Sequence, residues 1–112
     1  MISEADILED IARIRGRRPL IHHIMNFVVM TDSANATLAI GASPIMAHAV
    51  EELEDIASMA DVIYINIGTL DSFWIESMMK LARIAGRYSK PLLLDPVGAG
   101  ASKLRSKVAR SL

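Results

Sequence analysis

The sequence predicts a single α/β domain built on a parallel β-sheet with helices on both faces. After a first helical segment, short and strongly apolar segments alternate four times with segments whose apolar residues recur at helical spacing. Alternation of this kind requires right-handed crossovers between parallel strands. At 112 residues the chain forms one domain at most, spanning residues 1–112. Because the pattern stops on a helix after about four β-α units, we expect an incomplete sheet with an unfinished edge.

Composition and charge narrow the class of partner. Hydrophobic residues make up 52% of the chain, which has no cysteine and a formal net charge of −1. The basic residues are scattered, so neither nucleic acid nor an anionic membrane is an expected partner, and thiolate metal sites are excluded. No apolar run approaches the ~20 residues that span a bilayer, and the charged N-terminus is unlike a signal peptide. We therefore expect a soluble, cytoplasmic protein whose partners are small molecules or copies of itself.

The first predicted helix covers residues 3–15, SEADILEDIARIR. Ser3 is a suitable N-cap, an acidic residue follows at the third helical position, and the apolar residues recur at helical spacing. The basic connector RGRRP separates this helix from LIHHI (Leu20 to Ile24). That segment is short, apolar and rich in β-branched residues, which predicts the first strand.

A second helix is predicted at residues 31–40, followed by a second strand. Thr31 or Asp32 would cap this helix, and Gly41 follows its last residue, where a positive φ angle costs glycine little. The strand SPIMA (residues 43–47) is only weakly indicated. VEELEDIASMAD (residues 50–61) predicts the third helix, with its acidic residues on a solvated face.

The third strand, DVIYINIG (residues 61–68), is the clearest in the sequence, because its nearly continuous apolar run is typical of a strand covered on both faces. Residues 71–88 then form a long helix, in which Trp74 is assigned to the core or a subunit contact. The predicted packed stripe of this helix is Phe73, Met78, Leu81 and Ala85. PLLLD (residues 91–95) is the fourth strand, and Ser102 begins the last helix.

The residues that follow the predicted strands are small or polar, whereas the strands are apolar. They are Met25-Asn26, Met46-Ala47-His48, Gly68-Thr69 and Asp95 to Gly100. Ligands of open parallel sheets bind beyond the carboxyl ends of the strands, where loops and helix N-termini converge. The sequence therefore predicts a site at this edge, while the opposite edge receives connectors such as RGRRP and RYSKP.

Asp95, at the end of the fourth strand, would direct a carboxylate into this site. Gly98 and Gly100 would let backbone N–H groups approach an anion in front of the helix that begins near Ser102. A carboxylate beside such a loop suggests a magnesium-bound phosphate. The spacing leaves equally open that Asp95 caps the turn before Pro96 and that the glycines only turn the chain, because DPVGAG matches neither the P-loop nor the dinucleotide-binding fingerprint.

A neutral organic ligand would suit the rest of this edge. Asn26, Met46 and Thr69 would form a small pocket with an apolar wall and a few polar groups. His22 and His23 are neighbours on a strand, so their side chains point to opposite faces and cannot share one metal ion.

Three segments of the chain carry a resemblance to a known family. Residues 19–57, INIGTL (65–70) and LLLDPVGAGAS (92–102), in this order and at these separations, resemble the N-terminal part of hydroxyethylthiazole kinases. These are thiamine-salvage enzymes of the ribokinase-like fold. GASPIMA and LDPVGAGA are the specific motifs, and the similarity covers nearly the whole chain. Members are more than twice this long, so the resemblance implies the first portion of such a kinase.

The resemblance implies a reaction and a set of site residues. The family transfers the γ-phosphate of ATP to the hydroxyl of 4-methyl-5-(2-hydroxyethyl)thiazole with magnesium, usually as a homotrimer with sites between subunits. By resemblance, Met46 would contact the thiazole, Asn26, Gly68 and Thr69 would help to form its pocket, and Asp95 would help to hold magnesium or the phosphates. The catalytic base and most nucleotide contacts lie, in the family, beyond residue 112. We therefore assign no catalytic residue here and expect the chain alone to be inactive.

Two other functions are compatible with the sequence. One is another ribokinase-like kinase of small alcohols, such as hydroxymethylpyrimidine, against which GASPIMA argues. The other is a non-catalytic module that binds a small ligand or assembles into oligomers, which the short length of the chain favours.

Overall fold

The computed structural model describes residues 1–112 and contains five α-helices and four β-strands in strict alternation after the first helix. The helices are α1 (Glu4–Arg17), α2 (Met30–Ile40), α3 (Leu53–Met59), α4 (Ser72–Arg87) and α5 (Lys103–Ser111). The strands are β1 (Leu20–Ile24), β2 (Ser43–Met46), β3 (Val62–Asn66) and β4 (Leu92–Asp95). The predicted α/β class is confirmed, with each observed boundary close to the predicted one.

The four strands form one parallel sheet in the order β2-β1-β3-β4. From β1 the chain moves outward to β2, then crosses back over β1 to form β3 and β4. Because crossovers are right-handed, this reversal places α2 on the opposite face of the sheet from α3 and α4. It also opens a crevice between the carboxyl ends of β1 and β3, which is where open parallel sheets bind ligands.

The hydrophobic core lies between one face of the sheet and helices α3, α4 and α5. Its members include Ile24, Ile63 and Ile65 from the strands, Leu53 and Ala57 from α3, Trp74, Met78, Leu81, Ile84 and Ala85 from α4, and Val108 from α5. Trp74 is buried, as predicted, but Phe73 is 45% exposed, so its assignment to the packed stripe is wrong. Successive helical residues point about 100° apart, and the inward direction at this turn belongs to Trp74.

The predicted cap of α1 is confirmed, whereas that of α2 is wrong. Ser3 and Asp6 form a capping box at α1, although no residue of α1 is buried. Helix α2 begins at Met30, and no side chain of Thr31 or Asp32 caps it. The backbone N–H groups of the turn before it donate instead to Asn26 Oδ1, from Val28 at 2.9 Å and Val29 at 3.2 Å. Asn26 therefore does locally what a cap residue would do.

The start of α3 differs from the prediction, whereas the edge position of β4 agrees with it. Helix α3 begins three residues later than predicted, and the Val50 carbonyl before it accepts a hydrogen bond from Lys80 Nζ at 2.7 Å. Strand β4 lies at the edge of the sheet, as expected, and Leu93 on its outer face is 58% exposed. No helix has the length and apolar character needed to cross a membrane.

Candidate active site

The structure places all the predicted site residues at the carboxyl edge of the sheet. Met46 ends β2, Asn26 follows β1, Gly68 and Thr69 follow β3, and Asp95 ends β4. The residues span the full width of the sheet, so Met46 and Asp95 lie on opposite edge strands, about 14 Å apart at three strand spacings. The two that lie next to the crevice are Asn26 and Gly68.

A chain of buried amides joins the two central strands to the outer one. Asn26 Nδ2 donates to Asn66 Oδ1 at 2.8 Å, and Asn66 Nδ2 donates to Asp95 Oδ2 at 2.8 Å. We call Asn26, Asn66 and Asp95 the amide relay. Asn26 and Asn66 are 6% and 3% exposed, so these hydrogen bonds satisfy groups that water does not reach. The relay therefore connects the loop before α2 to the carboxylate at the end of β4.

Asn66 is the central member of the relay, and it is not among the residues predicted from the sequence. It ends β3 directly opposite Asp95 in the register of β3 and β4. Its Oδ1 also accepts the backbone N–H of Gly68 at 2.9 Å, which fixes the turn after the strand. One feature of the sequence could have indicated Asn66, namely that it is the one amide in an otherwise apolar strand. A buried strand contains such an amide only where its side chain finds hydrogen-bond partners.

Gly68 is required here by close packing. A Cβ atom at Gly68 would lie 2.6 Å from Asn26 Nδ2 and 2.9 Å from Asn26 Cγ. A Cβ atom essentially never approaches a non-bonded atom this closely, so a side chain at Gly68 would displace the first member of the relay. The glycine of INIGTL therefore lets the loops after β1 and β3 approach each other.

The carboxylate of Asp95 is held on one side and open on the other. Its Oδ2 accepts hydrogen bonds from Asn66 Nδ2 and, at 3.0 Å, from the Tyr64 hydroxyl. Its Oδ1 has no hydrogen bond within the chain and is not sealed from solvent. The turn that follows is closed by the backbone, from Val97 N–H to the Asp95 carbonyl at 2.9 Å, so the side chain does not cap it. Burial, and then the Asp95 carboxylate, raise the pKa of Tyr64.

The glycine loop after β4 is shaped by Arg105. Gly98 and Gly100 have φ angles of 73° and 94°, in the left-handed region that favours glycine. A side chain on Gly98 would overlap the Arg105 guanidinium, which donates to the carbonyls of Gly68 at 2.6 Å and Val97 at 3.1 Å. Arg105 thus ties the loops after β3 and β4 together.

Contacts with phosphate at this loop stay a prediction. The N–H of Gly100 already donates to Ser106 Oγ at 2.9 Å. Beside it is an open cleft of about 290 Å³ whose lining includes Lys103 and Arg110, both cationic.

The residues predicted to contact an organic substrate are partly engaged within the chain. Thr69 Oγ1 accepts the backbone N–H of Phe27 at 3.0 Å, and the Phe27 ring packs on Trp74 with centroids 4.8 Å apart. Phe27 is nevertheless 62% exposed. None of the four clefts on the chain is lined by Asn26, Met46 or Thr69. Their role in a thiazole pocket therefore stays a prediction.

The two neighbouring histidines are buried within the sheet. His22 Nε2 lies 2.7 Å from the Ala47 carbonyl, whereas neither ring nitrogen of His23 has a partner. Burial lowers the pKa of His22, and it lowers the pKa of His23 to about 4. The ring of His23 meets that of Tyr64 edge-on, with centroids 5.2 Å apart. Both histidines are therefore neutral near pH 7.

Comparison with known proteins matches this arrangement to one family. The model of the "Hydroxyethylthiazole kinase family" matches residues 11–112. The hydroxyethylthiazole kinase of Pyrococcus furiosus is 61% identical over 101 residues, covering 90% of this chain and 38% of the relative. That of Caldivirga maquilingensis is 59% identical over 103 residues, covering 92% of this chain and 39% of the relative.

A solved structure gives the same result. The hydroxyethylthiazole kinase protein from Pyrococcus horikoshii OT3 superimposes with a TM-score of 0.92 at 58% identity, over 94% of this chain and 41% of that one. The chain thus spans about two-fifths of the length of the relatives that it matches.

Proposed function

The chain belongs to the hydroxyethylthiazole kinase family, and from this premise we propose that it forms the substrate-side part of a kinase that acts on hydroxyethylthiazole. The reaction transfers the γ-phosphate of ATP to the hydroxyl of 4-methyl-5-(2-hydroxyethyl)thiazole. The observation that carries the proposal is the amide relay, which spans the crevice between β1 and β3 and ends on a half-open carboxylate. A small ligand at the crevice would lie beside Asn26, and a phosphate or cation would lie beside Asp95.

The substrate side of the proposed site is the edge formed by Asn26, Met46, Gly68 and Thr69. Met46 and the exposed Phe27 supply apolar surface, and Thr69 supplies a hydroxyl oxygen. Apolar walls with few polar groups suit a neutral heterocycle. Because Phe27 and Val28 are 62% and 79% exposed beside Asn26, we also propose that a second copy of the protein completes the pocket, in a homotrimer.

The residues present fit magnesium. No group of three His, Asp or Glu side chains surrounds Asp95, but Mg²⁺ usually keeps several waters and binds through one or two carboxylates plus substrate phosphates. The free Oδ1 of Asp95 offers one such ligand. When bound, the ion would neutralise charge on the transferring phosphate. Gly98, Gly100 and the cleft with Lys103 and Arg110 are the proposed phosphate side. We propose the cytoplasm, where ATP is available, as the compartment.

Product formation tests the proposal. The full-length gene product is incubated with ATP and Mg²⁺ and either the thiazole or hydroxymethylpyrimidine, and the phosphorylated product is identified by mass. We expect phosphorylated thiazole, and a large loss of product with Asp95→Asn. Product from the pyrimidine alone would favour the other small-alcohol kinase, and no product from either would favour a non-catalytic module. Light scattering of the same sample tests the trimer.

A further inference from the structure

The strongest unassigned feature of the site is the hydrogen bond between the Tyr64 hydroxyl and Asp95 Oδ2, at 3.0 Å. Tyr64 lies two residues before Asn66 on β3, so both side chains project from the same face of the sheet. Both donate to the same oxygen of Asp95, from two different positions along the strand. Two donors on one oxygen fix the plane of the carboxylate and leave only Oδ1 to accept an incoming group.

We propose that Tyr64 is a positioning residue, which holds the Asp95 carboxylate so that Oδ1 faces a hydrated divalent cation at the edge of the sheet. The inference rests on the proposed function for the identity of that cation. Tyr64 does not itself contact the cation or the substrate. Its hydroxyl is within hydrogen-bonding reach of Asn66 as well as Asp95, so its effect passes through the two side chains of the relay that meet at this carboxylate.

The packing around Tyr64 supports such a role. Its ring lies edge-on against the buried His23 ring, which restricts the rotation of the side chain. A tyrosine hydroxyl, whose ordinary pKa is about 10, is a donor over the whole neutral range. A phenylalanine at this position would keep the ring contact and lose only the hydrogen bond. The position therefore offers a nearly isosteric test.

The first measurement asks whether the two groups interact in solution. 3-Fluorotyrosine is placed at position 64 of the full-length protein by codon suppression, and its ionisation is followed by fluorine NMR. Because a carboxylate disfavours the phenolate, Asp95→Asn should lower the pH of the titration midpoint. The matched control is fluorotyrosine at position 88, whose hydroxyl donates to Glu54 at 3.1 Å; Tyr88 precedes the start of β4, whereas Asp95 lies at its carboxyl end. Glu54→Gln, and not Asp95→Asn, should shift that control.

The second measurement asks whether the interaction serves cation binding. Mg²⁺ is titrated with a non-hydrolysable ATP analogue present. A cation on Asp95 should also lower the midpoint of fluorotyrosine 64, since positive charge favours the phenolate. Tyr64→Phe should weaken Mg²⁺ binding by about ten- to a hundredfold, the range that corresponds to one hydrogen bond to a charged group. Tyr88→Phe should leave it unchanged.

The outcomes separate this inference from the proposed function. The positioning role is wrong if the titration midpoint of fluorotyrosine 64 is unchanged by Asp95→Asn, or if Tyr64→Phe leaves the Mg²⁺ affinity unchanged. Either result holds whatever substrate the enzyme phosphorylates. If the wild type makes no phosphorylated thiazole while position 64 still responds to both Asp95→Asn and Mg²⁺, the proposed substrate is wrong and the positioning role stands.

Discussion

The amide relay makes its sharpest prediction at Asn66. Replacing Asn66 by aspartate conserves shape and keeps an oxygen acceptor for Asn26 Nδ2 and the Gly68 N–H. It exchanges the Nδ2 donor to Asp95 for a second carboxylate oxygen at 2.8 Å, in a position that is 3% exposed. The variant therefore replaces the hydrogen bond between positions 66 and 95 with the contact of two carboxylate oxygens.

The expected cost is large and depends on pH. Loss of a hydrogen bond to a charged group costs about 1.5–3 kcal/mol, and an uncompensated buried charge about 3–5 kcal/mol. We expect Asn66→Asp to lower the free energy of unfolding by about 3–5 kcal/mol at pH 7. Two carboxylates in contact share a proton, so the folded-state pKa of the new pair rises above the unfolded value of about 3.9.

The sign of the pH effect follows from that raised pKa. The folded variant retains a proton that the unfolded chain releases, so its stability is greatest at low pH and falls as pH rises through the folded-state pKa. One retained proton corresponds to about 1.4 kcal/mol per pH unit. The difference from wild type should therefore grow by up to about 2.8 kcal/mol between pH 5 and pH 7.

Urea unfolding followed by tryptophan fluorescence measures both quantities. The chain contains one tryptophan, Trp74, and it is buried in the core, so it reports on global unfolding. The matched control is Asn35→Asp, the same chemical change at an exposed position of α2, which should stay within about 0.5 kcal/mol of wild type. Equal stability of the two variants, or a deficit at Asn66 that does not vary from pH 5 to pH 7, would refute the relay.

Three further substitutions probe the loops and the buried histidines. Gly68→Ala should cost about 1–3 kcal/mol, because its Cβ would displace Asn26, whereas Gly86→Ala in α4 meets nothing within 4 Å and should be neutral or stabilising in the same urea assay. The unfolding free energy of the wild type should fall as pH drops from 6.5 towards 4, because the unfolded chain binds a proton at His23 and the folded chain does not. In His23→Leu, the slope of unfolding free energy against pH should be smaller. Arg105→Ala should lower the unfolding free energy by about 1–3 kcal/mol and speed proteolysis at the glycine loop, and an unchanged cleavage rate would show that its hydrogen bonds do not order that loop.

Much of the fold follows from periodicity alone. The nearly continuous apolar run of β3, the cap at Ser3 and the start predicted at Ser102 placed their elements to within a few residues. In the structure Ser102 caps α5. Burial and unsatisfied N–H groups act locally, which is why these signals can be found in the sequence. The sequence also placed Asp95 at the carboxyl edge, since chain order fixes which end of a parallel strand comes last. The errors at Thr31 and Phe73 concern single positions, where a long-range partner or the exact helical phase decides the outcome.

The relay itself could not be predicted, because it depends on the order of the strands. Asn26 and Asn66 meet only because β1 and β3 are neighbours, and alternation of helix and strand is compatible with several strand orders. The role of Tyr64 could not be predicted for a related reason. Within an apolar run it is an ordinary strand residue, and only its register with β4 brings its hydroxyl to Asp95.

The register of β4 therefore brings the Asp95 carboxylate to the candidate site. That register is set by the alternation of buried and exposed leucines along this edge strand. Leu92 and Leu94 pack against the core, whereas Leu93 is exposed on the other face, on which Asp95 also lies. A slip of one residue would bury Leu93 and expose its two neighbours, at a cost of about 1.5–3 kcal/mol for each leucine taken from the core. The same slip would turn Asp95 towards the core and away from Tyr64 and Asn66. Three ordinary leucines thus hold the carboxylate on the face where its donors are.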